Sequence, residues 1–240
     1  MSRLLEQMKP LVNQTIDKLD KKKFQPDPIG QKLTKTVSII SSAYKRHGFI
    51  IEQALLTHMQ SNPNFECWEE KKFFVPKAVS HAVQSQLEDI EELFKMDHEY
   101  IPEAKVKEKK PKKIQVDLFV YNKKLKTLDS YEVKRGNGHH DSGKQKSILR
   151  DLLHNRALLK SYGQQKGLKV NKVKSWIYFH YGIGTIGKEG DKIFKISGRE
   201  IDDHFGFSIY DEIEQVNKYF SKRLFMIEAV QGKILKDLLL

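Results

Sequence analysis

Ile114–Lys134, IQVDLFVYNKKLKTLDSYEVK, is the stretch whose reading decides the fold. It reads as two β-strands joined by a tight polar turn. In the first, Ile114, Val116, Leu118 and Val120 alternate with Asp117, Phe119 and Tyr121. A period of two predicts one face for the first set and the opposite face for the second. In the second strand Leu128, Ser130, Glu132 and Lys134 share a face, and Val133 points away from them into an apolar layer. Asn122-Lys123-Lys124 has the composition of a hairpin connection, although it lacks the Asn-Gly signature.

Residues two apart on a strand lie on one side, with Cα atoms about 6–7 Å apart. Glu132 and Lys134 therefore converge on one point, and antiparallel pairing brings Asp117 to the same edge. Two carboxylates offer hard oxygen ligands for Mg2+, which binds through one or two carboxylates plus water and substrate phosphate. A lysine beside them orients an attacking water or stabilises charge developing on a phosphate. That combination is suited to cleaving a phosphodiester. The plain alternative is a same-face surface ion pair, which contributes little. The apolar strand pattern, the helix that follows and the net charge weigh against it.

Asp117, an interval of fourteen residues, then Glu132-Val133-Lys134 resembles the PD-(D/E)xK nuclease superfamily, the fold of many type II restriction endonucleases. Val116 stands at the "P" position, which leaves the metal ligand itself untouched. The resemblance implies that Asp117 and Glu132 bind Mg2+ and that Lys134 positions the attacking water. It also draws in Glu52, because many of these nucleases carry a glutamate on an N-terminal helix close to the metal. An ordinary solvent-facing helix glutamate is the competing reading of Glu52. The implied partners are double-stranded DNA and a second copy of the chain, since a two-fold protein cuts both strands of a palindrome symmetrically.

The 240 residues suit one large domain or two small ones, with 39% hydrophobic and 31% charged residues. The net charge of +12 is unusual and points to an anionic partner, nucleic acid before a membrane surface. No run approaches the length and apolarity of a bilayer-spanning helix, and the first residues lack the apolar core of a secretory signal; the single cysteine points to a reducing cytoplasm. Cys67 is the single cysteine, which excludes an internal disulfide or a cysteine zinc cluster. Beside Trp68 it reads as a buried small hydrophobe.

Along the chain, helical spacing predicts a helix over 1–24, kinked or restarted at Pro10, and a second helical region over 31–60 that Gly48 interrupts. His47 and His58 read as surface or capping residues. Phe65–Pro76 reads as a strand and Ala78–Met96 as a helix, with Glu88, Glu91 and Glu92 on a solvated face. The lysine-rich run 105–113 reads as a loop or arm, and Lys109, Lys110, Lys112 and Lys113 are candidate phosphate contacts. Arg135, Lys144 and Lys146 are further candidates, on a glycine-rich loop and the start of a helix over 144–162 for which Asp141 or Ser142 is the N-cap. His139-His140-Asp141 invites a histidine–metal reading, but no Asn or His follows at ββα-metal spacing. Ser175–Tyr181 reads as a buried strand with core aromatics. Gly182–Gly187 spells GxGxxG, set aside as a nucleotide site because 188–191 reads as a turn and 192–196 as a strand, so no nucleotide cofactor is expected. Helices close the chain over 208–240, ending in the apolar ILKDLLL.

This order predicts an α/β (borderline α+β) protein with a mixed central sheet flanked by helices and a restriction-endonuclease-like core. One domain spans 1–240, with helical regions at about 1–60 and 208–240 around a catalytic core at about 65–205. The expected activity is a Mg2+-dependent endonuclease on double-stranded DNA, of the type II restriction kind. A repair or junction-resolving nuclease of the same superfamily and a non-catalytic basic nucleic-acid-binding protein are the alternatives. A peripheral membrane protein would need a basic amphipathic helix with a clean apolar face, and none is evident.

Overall fold

A computed structural model describes residues 2–23, 31–85, 96–102, 105, 112–138, 141–228 and 230. In chain order the elements are α1 (Arg3–Asp20), α2 (Gln31–Gln60), β1 (Phe65–Val75), α3 (Lys77–Ser85), β2 (Lys112–Asn122), β3 (Thr127–Lys134) and α4 (Ser142–Gln165), then β4 (Lys172–Phe179), α5 (Lys188–Phe194), β5 (Lys195–Ser197), α6 (Glu200–Phe205) and α7 (Tyr210–Phe225). They fall into two compact units, one made of Met1–Thr57 with Gly206–Leu240 and the other of His58–Phe205. The acidic cluster Glu88, Glu91 and Glu92, the pair His139 and His140, and the terminal ILKDLLL lie outside the described residues, as do Lys109 and Lys110.

In the helical unit α1 starts at Ser2, whose hydroxyl accepts from the Leu5 N–H at 3.2 Å. The helix runs through Pro10 without a break. Leu4 and Met8 before the proline and Val12, Ile16 and Leu19 after it are all buried, so a continuous apolar stripe outweighs one lost backbone bond. Gly48 likewise leaves α2 whole, because Ile39 and Ala43 on one side of it and Ile50, Ile51 and Ala54 on the other bury a single face. That burial exceeds the cost of about 1 kcal/mol for a glycine in a helix. Thr57 donates to Met8 Sδ at 3.7 Å and Lys22 Nζ to Ser42 Oγ at 3.4 Å, so α1 and α2 run antiparallel. His47 is a core residue and not the surface histidine expected. It stacks on Phe220 with centroids 5.2 Å apart, and its Nε2 lies 2.9 Å from Asn217 Oδ1.

The other unit carries a mixed five-stranded sheet in the order β1-β2-β3-β4-β5. β1, β2 and β3 pair antiparallel, whereas β3, β4 and β5 pair parallel. Parallel neighbours need a long crossover, and α4 fills the one between β3 and β4 while packing on both. The result is the expected α/β arrangement of a mixed sheet with flanking helices. No described helix is long and apolar enough to cross a membrane.

The hairpin forms where expected. Asn122 Oδ1 accepts from the N–H groups of Lys124 (3.0 Å) and Leu125 (2.9 Å), and Lys126 closes the loop with φ at 56°. The face assignment in β2 differs from the expectation. Trp68 faces Phe119 but Glu70 faces Val116, so β2 spends one extra residue there; β1 returns it before Phe73 meets Ile114. This bulge turns Ile114 and Val116 to the same side as Phe119 and Tyr121, where all four join the core cluster under α4. Leu118 and Val120 are buried on the opposite side. Strict alternation cannot carry that information, because the bulge is set by β1, a strand some forty residues away in sequence.

Two further expectations are corrected. Residues 188–194 form the short helix α5, and the strand that follows covers only Lys195–Ser197. Asp191 accounts for this: its carboxylate accepts from the Ile186 N–H at 2.8 Å and the Thr185 hydroxyl at 2.6 Å, tying the first turn to the preceding loop.

Candidate active site

Asp117, Glu132 and Lys134 meet on the α4 side of the sheet. Leu118 pairs with Tyr131 and Phe119 with Ser130, so continuing that register by one residue sets Asp117 opposite Glu132. The bulge that flips Ile114 and Val116 leaves Asp117 in phase with Phe119, and hence in phase with Glu132. Lys134 Nζ pairs with Glu132 Oε1 and lies 3.7 Å from Asp117 Oδ2. The Val133 N–H donates to Asp117 Oδ2 at 2.9 Å, which fixes the carboxylate's orientation, and Gln115 Nε2 lies 3.4 Å from its Oδ1. The Asp117 side chain keeps 8% of its exposure, Glu132 23% and Lys134 25%, so the acid on β2 forms the floor and the pair on β3 faces the opening.

Burial raises the proton affinity of Glu132 above the ordinary glutamate value. The charge of Lys134 opposes this, while the charges of Asp117 and Asp151 add to it. A carboxylate so placed gains from a cation brought beside it. Among the described residues no group of three or more His, Cys, Asp or Glu side chains stands at metal-holding distance. Two carboxylates are nevertheless the donor set that Mg2+ takes when waters and a phosphate complete its shell, so Asp117 and Glu132 fit that ion.

β3 and β4 run parallel, and Lys134 faces Phe179 at their carboxyl ends. Loops leaving the carboxyl ends of parallel strands form the customary ligand crevice of α/β sheets. Here the loops after β3 and β4 are laced together: the Tyr181 N–H donates to the Arg135 carbonyl at 2.7 Å and the Ile183 N–H to the Gly136 carbonyl at 2.8 Å. Gly136 has φ of 70°, and a Cβ there would stand 2.7 Å from Phe179 Cβ, so only glycine fits. The guanidinium of Arg135 lies 5.8 Å from the Tyr181 ring centroid. Asp141 is the N-cap of α4, with Oδ1 accepting from the Lys144 N–H at 2.9 Å; the Lys144 and Lys146 side chains are exposed on its first turns.

Lys112 and Lys113 are not part of a free arm, since both open β2. Lys112 Nζ lies 2.7 Å from Asp151 Oδ1 and 3.2 Å from His154 Nδ1, and Lys113 Nζ stands 5.1 Å from the Phe74 ring centroid. Glu52 sits half-buried on α2 in the helical unit.

Asp151 and His154 on α4 were not singled out in the sequence. Burial opposes ionisation of Asp151, but its bonds to His154 and Lys112 outweigh that and hold its carboxyl below the ordinary value. Burial likewise lowers the proton affinity of His154, which is 1% exposed. The one signal available was the three-residue spacing of an acid and a histidine on a helix, which occurs too often to single out.

The glycine loop 182–187 is followed by a helix after all, which removes the reason first given for setting the GxGxxG string aside. The structure supplies a different one. The Ile186 N–H and the Gly187 N–H are taken by Asp191 Oδ1 and Thr185 Oγ1, and a Cβ on Gly184 would stand 2.2 Å from the Phe179 ring, so this glycine serves packing. Burial pushes the thiol of Cys67 up to about 12, which makes it unreactive as a nucleophile. Compared with known proteins, the chain matches no family model, no curated protein and no solved structure.

Proposed function

We propose that the chain is a Mg2+-dependent endonuclease that hydrolyses phosphodiester bonds of double-stranded DNA, built on a PD-(D/E)xK-type, restriction-endonuclease-like core. The observation that carries this reading is the position of the Lys134 ammonium between the Glu132 and Asp117 carboxylates, at the carboxyl ends of the parallel strands. When bound by Asp117 and Glu132, Mg2+ supplies Lewis acidity and neutralises charge at the phosphate. Asp117 is held for that role by the Val133 N–H. Lys134 donates to the attacking water and steadies it for in-line approach. The water oxygen forms the new bond to phosphorus as the opposite P–O bond breaks; the proton lost by the water passes to solvent, and the departing oxygen takes one from solvent. Lys134 then balances charge on the equatorial oxygens. Arg135, Lys144 and Lys146 are placed on the adjoining loop and helix start to hold neighbouring phosphates. A sequence-specific restriction enzyme acting as a homodimer in the cytoplasm is the form proposed.

The test is cleavage of mixed-sequence double-stranded DNA in Mg2+ and in EDTA. Wild type is expected to give discrete bands only with Mg2+. Glu132→Ala and Lys134→Ala are expected to lose about 10²–10⁴-fold in rate, with gel-shift binding in Ca2+ retained at least by Lys134→Ala. A smear, or cutting confined to branched DNA, moves the reading to a repair or junction nuclease. Binding without any cutting by wild type refutes the catalytic reading and leaves a nucleic-acid-binding protein.

A further inference from the structure

α2 carries a basic face in the helical unit that the proposed active site does not use. Thr36, Ile39, Ala43, His47, Ile50, Ile51 and Ala54 are buried and define its inner side. At about 100° per residue, Lys35, Ser38, Ser42, Lys45 and Arg46 gather within about 100° of arc on the outer side. Lys35, Lys45 and Arg46 are exposed, and none forms an ion pair or hydrogen bond among the described residues. The only acid in α2 is Glu52, beyond the cluster. Lys22 joins from the end of α1 by donating to Ser42 Oγ at 3.4 Å, with Lys18 and Lys21 exposed on the same final turns. Asp17 and Asp20 are the acids of that end of α1.

A helix face kept only for solubility usually mixes signs, because opposite charges at i,i+4 stabilise the helix and like charges do not. This face has three cations on α2 with no acid beside them, interleaved with hydroxyl groups. Lys35 to Arg46 spans eleven residues, about 16 Å of helix. That length matches about five phosphates of one strand at 3.4 Å of duplex axis each. Lysine, arginine and serine are the side chains that contact phosphate oxygens without reading sequence. An anionic membrane is a poorer fit: among the exposed apolar residues of α2, Val37, Ile40 and Tyr44 lie off the basic strip and Phe49 alone lies on its line, one turn past Lys45, while the main apolar face of α2 is spent in the core.

We propose that Lys22, Ser38, Ser42, Lys35, Lys45 and Arg46 form a second, sequence-independent binding surface for the phosphate backbone of nucleic acid. The inference shares with the proposed function only its nucleic-acid partner and requires no catalysis. The test uses the full chain and a labelled random-sequence duplex in EDTA, with Kd measured from 50 to 300 mM KCl. The triple variant Lys35→Gln, Lys45→Gln, Arg46→Gln is compared with a charge-matched control, Lys124→Gln, Lys169→Gln, Lys172→Gln. The strip variant is expected to bind at least about ten-fold more weakly at 100 mM salt, with the salt slope reduced by about 2–3, as removal of three phosphate contacts requires. The control is expected to change less than two-fold. Equal losses in both triples would reduce the effect to net charge and overturn the proposal, as would unchanged binding in the strip variant. Vesicles containing phosphatidylserine form a separate arm. Capture by vesicles that depends on the strip, with DNA binding unaffected, assigns the surface to a membrane instead. If the triple variant fails to fold by circular dichroism, the three single variants are read separately, each expected to lower the slope by about 1. Because every reading is taken in EDTA, loss of the strip effect and loss of Mg2+-dependent cutting are independent outcomes.

Discussion

Asp129 and His204 line a cavity of about 200 Å3 on the face of the sheet opposite Glu132, with Phe65, Tyr131 and Phe205 among its walls. Burial pushes the Asp129 carboxyl up from 3.8 to about 6, against the opposing charge of Lys174. Burial, aided by the same lysine, brings His204 down from 6.5 to about 4. Tyr131 Oη lies 2.8 Å from His204 Nε2, a contact that suits a neutral imidazole accepting the phenol proton. Between about pH 4 and 6 the folded chain keeps a proton on Asp129 that the unfolded chain has released, so this group makes stability fall as pH rises. Between about pH 4 and 6.5 the unfolded chain holds a proton on His204 that the folded chain excludes, so this group makes stability rise. At about 1.4 kcal/mol per pH unit of separation, each contribution is about 3 kcal/mol, an upper bound for the half-buried histidine. In the wild type they oppose one another over nearly the same window. Urea unfolding at intervals from pH 4 to 7 is the assay. Asp129→Asn is expected to steepen the gain of stability with pH by up to about 3 kcal/mol across that range relative to wild type. His204→Gln is expected to tilt the profile the other way by a comparable amount. The comparison is of slopes, so a constant loss from altered packing does not disturb it. Profiles parallel to wild type in both variants would refute the reasoning, since the two groups would then titrate alike in the folded and unfolded chains.

Gly136→Ala places a Cβ against Phe179 at a positive φ, so a loss of about 1–3 kcal/mol is expected in urea unfolding; under the proposed function, weaker DNA binding is expected with it as Arg135 is displaced. Asp141→Ala removes the N-cap of α4 and is expected to cost about 1 kcal/mol by the same measurement, with Asp141→Asn recovering most of it.

The hairpin, the α4 crossover helix and its aspartate cap were legible because each depends on neighbours in the chain: alternating residues, an Asx turn at Asn122, a carboxylate three residues ahead of an N–H. The continuity of α1 and α2 was not, because Pro10 and Gly48 are local penalties and the burial that overrides them comes from other helices. His47 was missed as a core residue for the same reason, since its partners Asn217 and Phe220 lie about 170 residues away. Helix α5 was missed because its short, charged sequence has no apolar period, and a tertiary loop tied by Asp191 supplies what period would have shown.

By itself the sequence determined that the chain is strongly basic, that β2 and β3 form a hairpin, and that Glu132 and Lys134 share a face, because alternation along one strand is a property of the backbone alone. Only the tertiary structure decided that Asp117 stands opposite them while its apolar neighbours Ile114 and Val116 turn to the same side. That outcome rests on an extra residue in the pairing of β2 with β1, and the register between two strands is a choice made by their shared packing, not by either strand.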